Sequence, residues 1–170
     1  MIRIGYLPIG IIHSPFKEQE GMPIQPAAAR GIPGWIEINA AYEEGLKNIS
    51  MFSHIILLYH FHRSQGYDLT VTPFLDHVPR GLFATRAPRR PNPIGLSIVK
   101  LVRSEGKILH IEDVDIVDET PLLDIKPYVP TFDIVAEATS GWVRDKAEQV
   151  CHTRADDRFS KKTKLSTEKG

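Results

Sequence analysis

One cysteine, Cys151, stands in 170 residues. That excludes an intramolecular disulfide framework and fits a reducing compartment. Neither charge is in excess: Lys+Arg and Asp+Glu are 21 each, so net charge points to no polyanionic or membrane partner. No apolar run reaches the roughly 18 residues that a membrane span needs. The apolar start, MIRIGYLPIGIIHSPF, is interrupted by Pro8 and two glycines and lacks a basic start followed by an unbroken apolar region. It reads as a strand, not a signal peptide. A soluble, cytoplasmic protein without a membrane segment is expected. The chain also lacks a G-x-G-x-x-G after a strand, a P-loop, a CxxC pair and an HExxH motif, so nucleotide sites of the usual kinds are not indicated. His60 and His62 share one side of a strand, but spacing suggests no third ligand, and no metal is expected.

What is present is mostly strand. Short β-branched or aromatic segments, broken by Gly and Pro, lie at Ile4–His13, Gly34–Ile38, His54–Phe61, Leu69–Thr72, Leu82–Thr85, Leu96–Arg103, Ile108–Val117 and Phe132–Ala138. Ala40–Asn48 is the one helical candidate, weakened by Gly45. Strands without intervening helices predict an all-β fold, a small and mostly antiparallel β-barrel with one short helix. Residues 1–145 form the expected barrel domain. Residues 146–170 form a polar, basic tail with Lys146, Arg154, Arg158, Lys161, Lys162, Lys164 and Lys169. Its composition predicts flexibility or loose docking.

Charge is balanced overall but not locally. Between His77 and Ser104 stand six cations and no carboxylate, whereas Glu105–Asp124 holds seven carboxylates against Lys107. Two paired strands would produce this pattern, and so would a cleft with walls of opposite sign. The basic block contains ATRAPRRPNPIGLS, residues 84–97. Pro88, Pro91 and Pro93 fix their own φ and push the residues before them toward extended conformations. From this stiff hook project Arg86, Arg89 and Arg90, suited to planar contact with carboxylate or phosphate. Asn92 offers an amide donor and acceptor, and Gly95 permits close backbone approach. Arg89 and Arg90 have no acidic residue within twelve positions, which predicts a phosphate contact for at least one.

A second proline-framed stretch is DETPLLDIKPY, residues 118–128. In an extended chain Asp124, Lys126 and Tyr128 share one face. A carboxylate, an ammonium and a phenol there suit proton transfer, or simply form an exposed strand face with an ion pair. A third stretch, GMPIQPAA, is a loop carrying Gln25.

Together these stretches resemble the TsaA-like or TrmO-like family. ATRAPRRPNPIGLSIVKL looks like its signature segment and VDIVDETPLLDIKPYVP like its second block. IGIIHSPFKE, IQPA, FSHIILLYHFH and GLFATR precede them in the expected order, so the resemblance covers about residues 2–135. It implies a β-barrel, dimeric methyltransferase that uses S-adenosyl-L-methionine to methylate N6 of threonylcarbamoyladenosine beside the tRNA anticodon. Cofactor contacts are then implied at Gln25, Pro26, Ala27, Phe61, His62, Arg86, Leu96 and the turn Glu112, Asp113, Val114, Asp115. Arg89, Arg90 and Asn92 are the expected substrate-binding residues of the anticodon loop site, and Asp124, Lys126 and Tyr128 the catalytic candidates. Members with established tRNA activity often carry a further C-terminal domain, where this chain has its basic tail. A non-catalytic module that retains the cofactor pocket or binds RNA is the alternative.

Overall fold

The computed structural model describes residues 2–159. Strand alternation gives the fold directly. In β2 (Pro33–Ile38) Gly34, Ile36 and Ile38 are buried while Trp35 and Glu37 face out. In β3 (His54–His60) Ile55, Leu57 and Tyr59 turn inward, and in β6 (Ile94–Glu105) Gly95, Ser97, Val99 and Leu101 do the same. One apolar face per strand requires a partner face, and these strands meet by curling into a closed barrel.

Its order is β1 (Gly10–His13), β2, β7 (Ile108–Glu112), β6, β3, β8 (Thr120–Pro127), and every neighbouring pair is antiparallel. The core gathers Ile12, Ile36, Leu57, Val99, Leu109 and Leu122, each fully buried or nearly so. A separate ribbon, β4 (Thr70–Val71) with β5 (Arg80–Gly81), lies outside the barrel. Around it Val71, Leu82 and Ala87 form a second small cluster, with Phe159 packed against them.

Several segments differ from the sequence expectation. The first strand begins at Gly10, not Ile4. Ala40–Leu46 is a 3-10 helix, started by the Asn39 side chain accepting from Ala41 N and followed by left-handed Asn48. It buries none of its residues, so no apolar stripe selects the wider α-helix. Leu82–Ala84, expected as strand, is a 3-10 turn. Phe132–Ala138 is not a strand either: Pro130 opens a four-residue helix, α1 (Pro130–Asp133), and residues 134–138 pair with no neighbouring strand.

The segment from Lys146, expected to be flexible or loosely docked, packs against the loops of the barrel up to Phe159. Gly141–Cys151 is 3-10 helical, Trp142 Nε1 donates to Ala84 O, and Lys146 pairs with Asp76 at 2.6 Å. Pro23 and Arg154 form a β-bridge. The expected flexible lysines at 161, 162, 164 and 169 lie outside the described residues.

Close packing at β1 gives a test. A Cβ on Gly10 would stand 2.4 Å from the carbonyl oxygen of Glu37, a backbone atom with no freedom to move aside. Gly10→Ala should lower stability by about 1–3 kcal/mol, read as a reduced urea midpoint with an unchanged slope.

Candidate functional site

Where β3, β6 and β8 reach one rim, three loops converge: Gln19–Gln25, the hook, and Asp115–Val117. They enclose a cavity of about 300 Å³. A larger groove of about 630 Å³ adjoins it and shares Gln25, Thr85, Arg86 and Phe74. The septum between them is a hydrogen bond, Arg86 Nη1 donating to Gln25 Oε1 at 2.8 Å.

Behind the cavity, joining its lining residues Tyr59 and Asp115, runs a polar chain rooted in the barrel. Tyr59 and Ser97 occupy inward positions on β3 and β6, with Tyr59 Oη 3.0 Å from Ser97 Oγ. Ser97 Oγ in turn donates to Asp115 Oδ1 at 2.7 Å. Burial raises the Tyr59 phenol above its ordinary value, with Asp115 adding to the effect, so it stays protonated and donates toward Ser97. Gly95 makes room for the Tyr59 ring, since a Cβ there would fall 2.2 Å from Cε2.

Asp115 opens onto the cavity, yet protein surrounds its carboxyl group. Burial pushes it up to about 6, opposed by the Ser97 hydrogen bond, its own backbone N–H and the Arg86 charge. Its loop is pinned from behind. Ser14 Oγ donates to Ile116 O at 2.6 Å, and Ser14 N donates to Asp118 Oδ1 at 3.0 Å. His13 and Lys17 also pair with Asp118. On the opposite side His62 Nδ1 lies 3.3 Å from Thr120 Oγ1. Desolvation lowers the imidazole from its ordinary value, aided by Arg63 and His60, and leaves it neutral at pH 7.

The expected cofactor residues divide. Gln25, Phe61, His62, Arg86, Leu96 and Asp115 line the cavity. Ala27 lines the adjoining groove, while Pro26 opens the short 3-10 helix beside it. The first three residues of the acidic turn are elsewhere. Glu112 pairs with Lys100 at 2.8 Å, Asp113 accepts from Gly31 N, and Val114 is buried in the core. The wall the cavity does use continues from Asp115 through Ile116 and Val117.

Neither paired arginine of the hook projects freely. Arg89 is 6 % exposed, and its Nε lies 2.9 Å from Asp68 Oδ2, a partner local sequence did not offer. Folding thus gives Arg89 a distant carboxylate, and of the two arginines expected to offer a phosphate contact Arg90 is the one at the cavity. Arg90 lines the cavity, with Nη1 donating to Thr85 O and Ala87 O. Asn92 is exposed in the turn before β6.

Asp124, Lys126 and Tyr128 do not line the cavity. Asp124 and Lys126 pair with each other at 2.8 Å on the outside of β8, and Tyr128 lies edge-on to His54. They run toward the end of β8 beside the start of β3, whereas Thr120 at the other end reaches the cavity. Among the described residues no group of three or more His, Cys, Asp or Glu could hold a metal ion.

Sequence reasoning missed Tyr59, Ser97 and Thr120. Ser97 carried a signal: it is the one hydroxyl among the apolar inward positions of β6. The aromatic walls from Phe74, Phe83, Trp142 and Phe159 had none, since they meet only through tertiary folding.

Fold and site define the class of closed six-stranded antiparallel β-barrels with a mixed acidic and basic cavity among the rim loops. Residues 11–134 match the tRNA-methyltransferase O N-terminal domain family, and the chain belongs to it. It is 54 % identical over 158 residues to a Pyrococcus abyssi protein named as a probable S-adenosyl-L-methionine-binding protein, covering 93 % of this chain and 86 % of that one. It is 35 % identical over 146 residues to the tRNA (adenine(37)-N6)-methyltransferase of Escherichia coli, covering 80 % of this chain but 62 % of the enzyme. The crystal structure of TrmO from Pseudomonas aeruginosa superposes with a TM-score of 0.71 at 38 % identity, over 83 % of this chain and 63 % of that one. Among the described residues no helix is long and apolar enough to cross a membrane.

Asp115 makes stability depend on pH. Its folded value of about 6 lies above the ordinary 3.8, so the native state binds the proton more tightly than the unfolded chain. The contribution of Asp115 to stability therefore falls as pH rises from about 4 to 6 and levels off above, by on the order of 3 kcal/mol. Asp115→Asn should flatten that stretch. Urea midpoints should then show the variant gaining on wild type between pH 4.5 and pH 7.

Proposed function

We propose that the chain is an S-adenosyl-L-methionine-dependent tRNA methyltransferase acting on N6 of the adenosine beside the anticodon. The finer reading is that this adenosine already bears a threonylcarbamoyl group and that the reaction takes place in the cytoplasm. The observation that carries the proposal is the cavity at the rim, where the Asp115 carboxylate and the Arg86 guanidinium line a space walled by Phe61, Leu96 and Ile116.

That donor set fits the cofactor. An amino-acid head group needs a cation for its carboxylate and an anion for its ammonium, and a sulfonium adds further positive charge. Arg86 supplies the first and Asp115 the second, and the apolar walls suit an adenine ring. Gln25 orients Arg86 through its side-chain hydrogen bond. When bound, the cofactor supplies an electrophilic methyl group. Alignment with the acceptor nitrogen is the main contribution asked of the protein. The nitrogen is urea-like once carbamoylated, so its proton must leave. With Asp115 given to the ammonium, His62, whose neutral form burial favours, is the proton acceptor at the cavity wall. Asp124, Lys126 and Tyr128 remain candidates only if a second subunit brings them near.

A homodimer is part of the reading. Ile94, Leu96 and Ile98 form an outward apolar stripe on β6, 36–46 % exposed, that starts at the cavity rim. A second copy over this stripe would cover it and wall the cavity. Light scattering at micromolar concentration should give twice the chain mass; a monomer mass with cofactor present would rule the dimer out.

Arg86→Ala should weaken S-adenosyl-L-methionine binding by about 1–3 kcal/mol, through loss of a charge-assisted contact. Calorimetry measures it. Methyl incorporation from labelled cofactor into tRNA, with and without the threonylcarbamoyl group, tests the activity. Cofactor binding without incorporation would leave a binding module.

A further inference from the structure

The groove on the far side of the Arg86–Gln25 septum has a construction of its own. Phe83 lines it at the centre of the 3-10 turn Leu82–Ala84 and is 76 % exposed. The turn is not loose. Leu82 beside it is 1 % exposed, Leu82 N donates to Leu69 O at 2.9 Å, and Thr85 N donates to Leu82 O at 3.0 Å. A large aromatic ring is thus held in solvent on a fixed support, against its own hydrophobic cost.

A planar cation accompanies the ring. The Arg90 guanidinium lies 5.7 Å from the Phe83 centroid, held there by the carbonyls of Thr85 and Ala87. Trp142 supplies a further wall, fixed by its hydrogen bond to Ala84 O. Arg80 and Lys146 lie 5.6 and 5.8 Å from its ring and are both tied to Asp76. The groove is therefore aromatic within, cationic at its edge, and continuous with the cavity that holds Asp115.

We propose that this groove is the acceptor-base subsite, taking one unstacked purine of the RNA with its ring against Phe83 and the flanking phosphates toward the cationic edge. The assignment rests on the function proposed above. Unpaired bases of RNA stack on aromatic rings and guanidinium planes, and cations nearby hold the backbone. An enzyme acting on a base must also draw that base away from its neighbours into a pocket next to its reactive group. A second copy of this chain is a poorer occupant, because a self-complementary contact would bring like cations of the two edges together. The docked segment Gly141–Cys151 acquires a role as the wall that makes the groove deep enough for a base.

The experiment uses the full chain with S-adenosylhomocysteine and an anticodon stem-loop RNA carrying threonylcarbamoyladenosine at the acceptor position. A matched RNA has an abasic residue there. Phe83→Ala should weaken binding of the first RNA about 5- to 150-fold, the range expected for one lost base–aromatic stack. It should leave the abasic RNA and cofactor affinity unchanged, and Phe83→Trp should restore binding. Equal weakening on both RNAs overturns the subsite, as does a loss of dimer mass in Phe83→Ala, which would assign the ring to self-association. Wild-type protein that methylates tRNA while Phe83→Ala is indifferent to the base overturns the subsite alone. Wild-type protein that binds cofactor but methylates no tRNA overturns the function, and the subsite with it.

Discussion

Barrel closure hangs on four residues. β1, Gly10–His13, pairs with β2 on one side and β8 on the other. Without it both neighbours would present open edges, and an antiparallel sheet of this size would have no reason to curl shut. The strand fits because Gly10 brings the chain against the backbone of Glu37. Immediately after it, Ser14 hydrogen-bonds Ile116 and Asp118. The strand that shuts the barrel therefore also anchors the acidic wall of the cavity, and closure and site formation are one event.

The two blocks of opposite charge serve both purposes that their sequence allowed, with different residues for each. Lys100 pairs with Glu112 across β6 and β7, and Arg103 pairs with Glu105 along β6. These are exposed strand-face pairs of small energetic value. Arg86 and Asp115 instead face the cavity. Asp115 differs from the paired carboxylates in that a hydroxyl, not a cation, is its hydrogen-bonding side-chain partner. A carboxyl group kept from water without a close cation retains its proton to higher pH, which is the observed direction. It is left able to receive positive charge from a ligand.

Strand alternation made most of the barrel legible, because five or more residues of period two leave little choice of inward face. It failed at the short ribbon strand Arg80–Gly81, which has no pattern to read. It also failed within β8, where the register shifts opposite Leu58 and Tyr59. Leu122 is inward and so is Ile125, three positions later, which period two forbids. The same bulge turns Asp124 and Lys126 outward, where they form the exposed strand face with an ion pair that was one of the two readings of that stretch. The cavity was legible in its hook, in Gln25 and in Phe61–His62. The resemblance spreads the acidic contact over Glu112–Asp115 and does not choose among Glu112, Asp113 and Asp115; the cavity takes Asp115. Only the ladder between β2 and β7, which ends at Glu112, decides which of them is free to face a ligand.

The hook's stiffness and its charge turn out to be linked. Proline fixes φ but supplies no hydrogen-bond donor, so a segment with Pro88, Pro91 and Pro93 cannot hold its shape through its own ladder. Neighbouring groups provide the missing bonds: Arg90 gathers Thr85 O and Ala87 O, Ser64 Oγ donates to Pro88 O, and Phe61 N donates to Pro93 O. Arg89 goes further, carrying a buried guanidinium to Asp68. Burying that charge costs several kcal/mol unless its geometry is good, and removing Asp68 would take a counter-charge away from a buried guanidinium. A flexible loop could meet the same ligand without that penalty. The arrangement makes sense where one neighbouring group must keep a fixed direction, and that group is Arg86, whose guanidinium is exposed and bonded through Nη1 to Gln25. Two arginines are thus committed to the protein's own loops to hold a third at the boundary between two cavities, where small displacements would misalign whatever they hold.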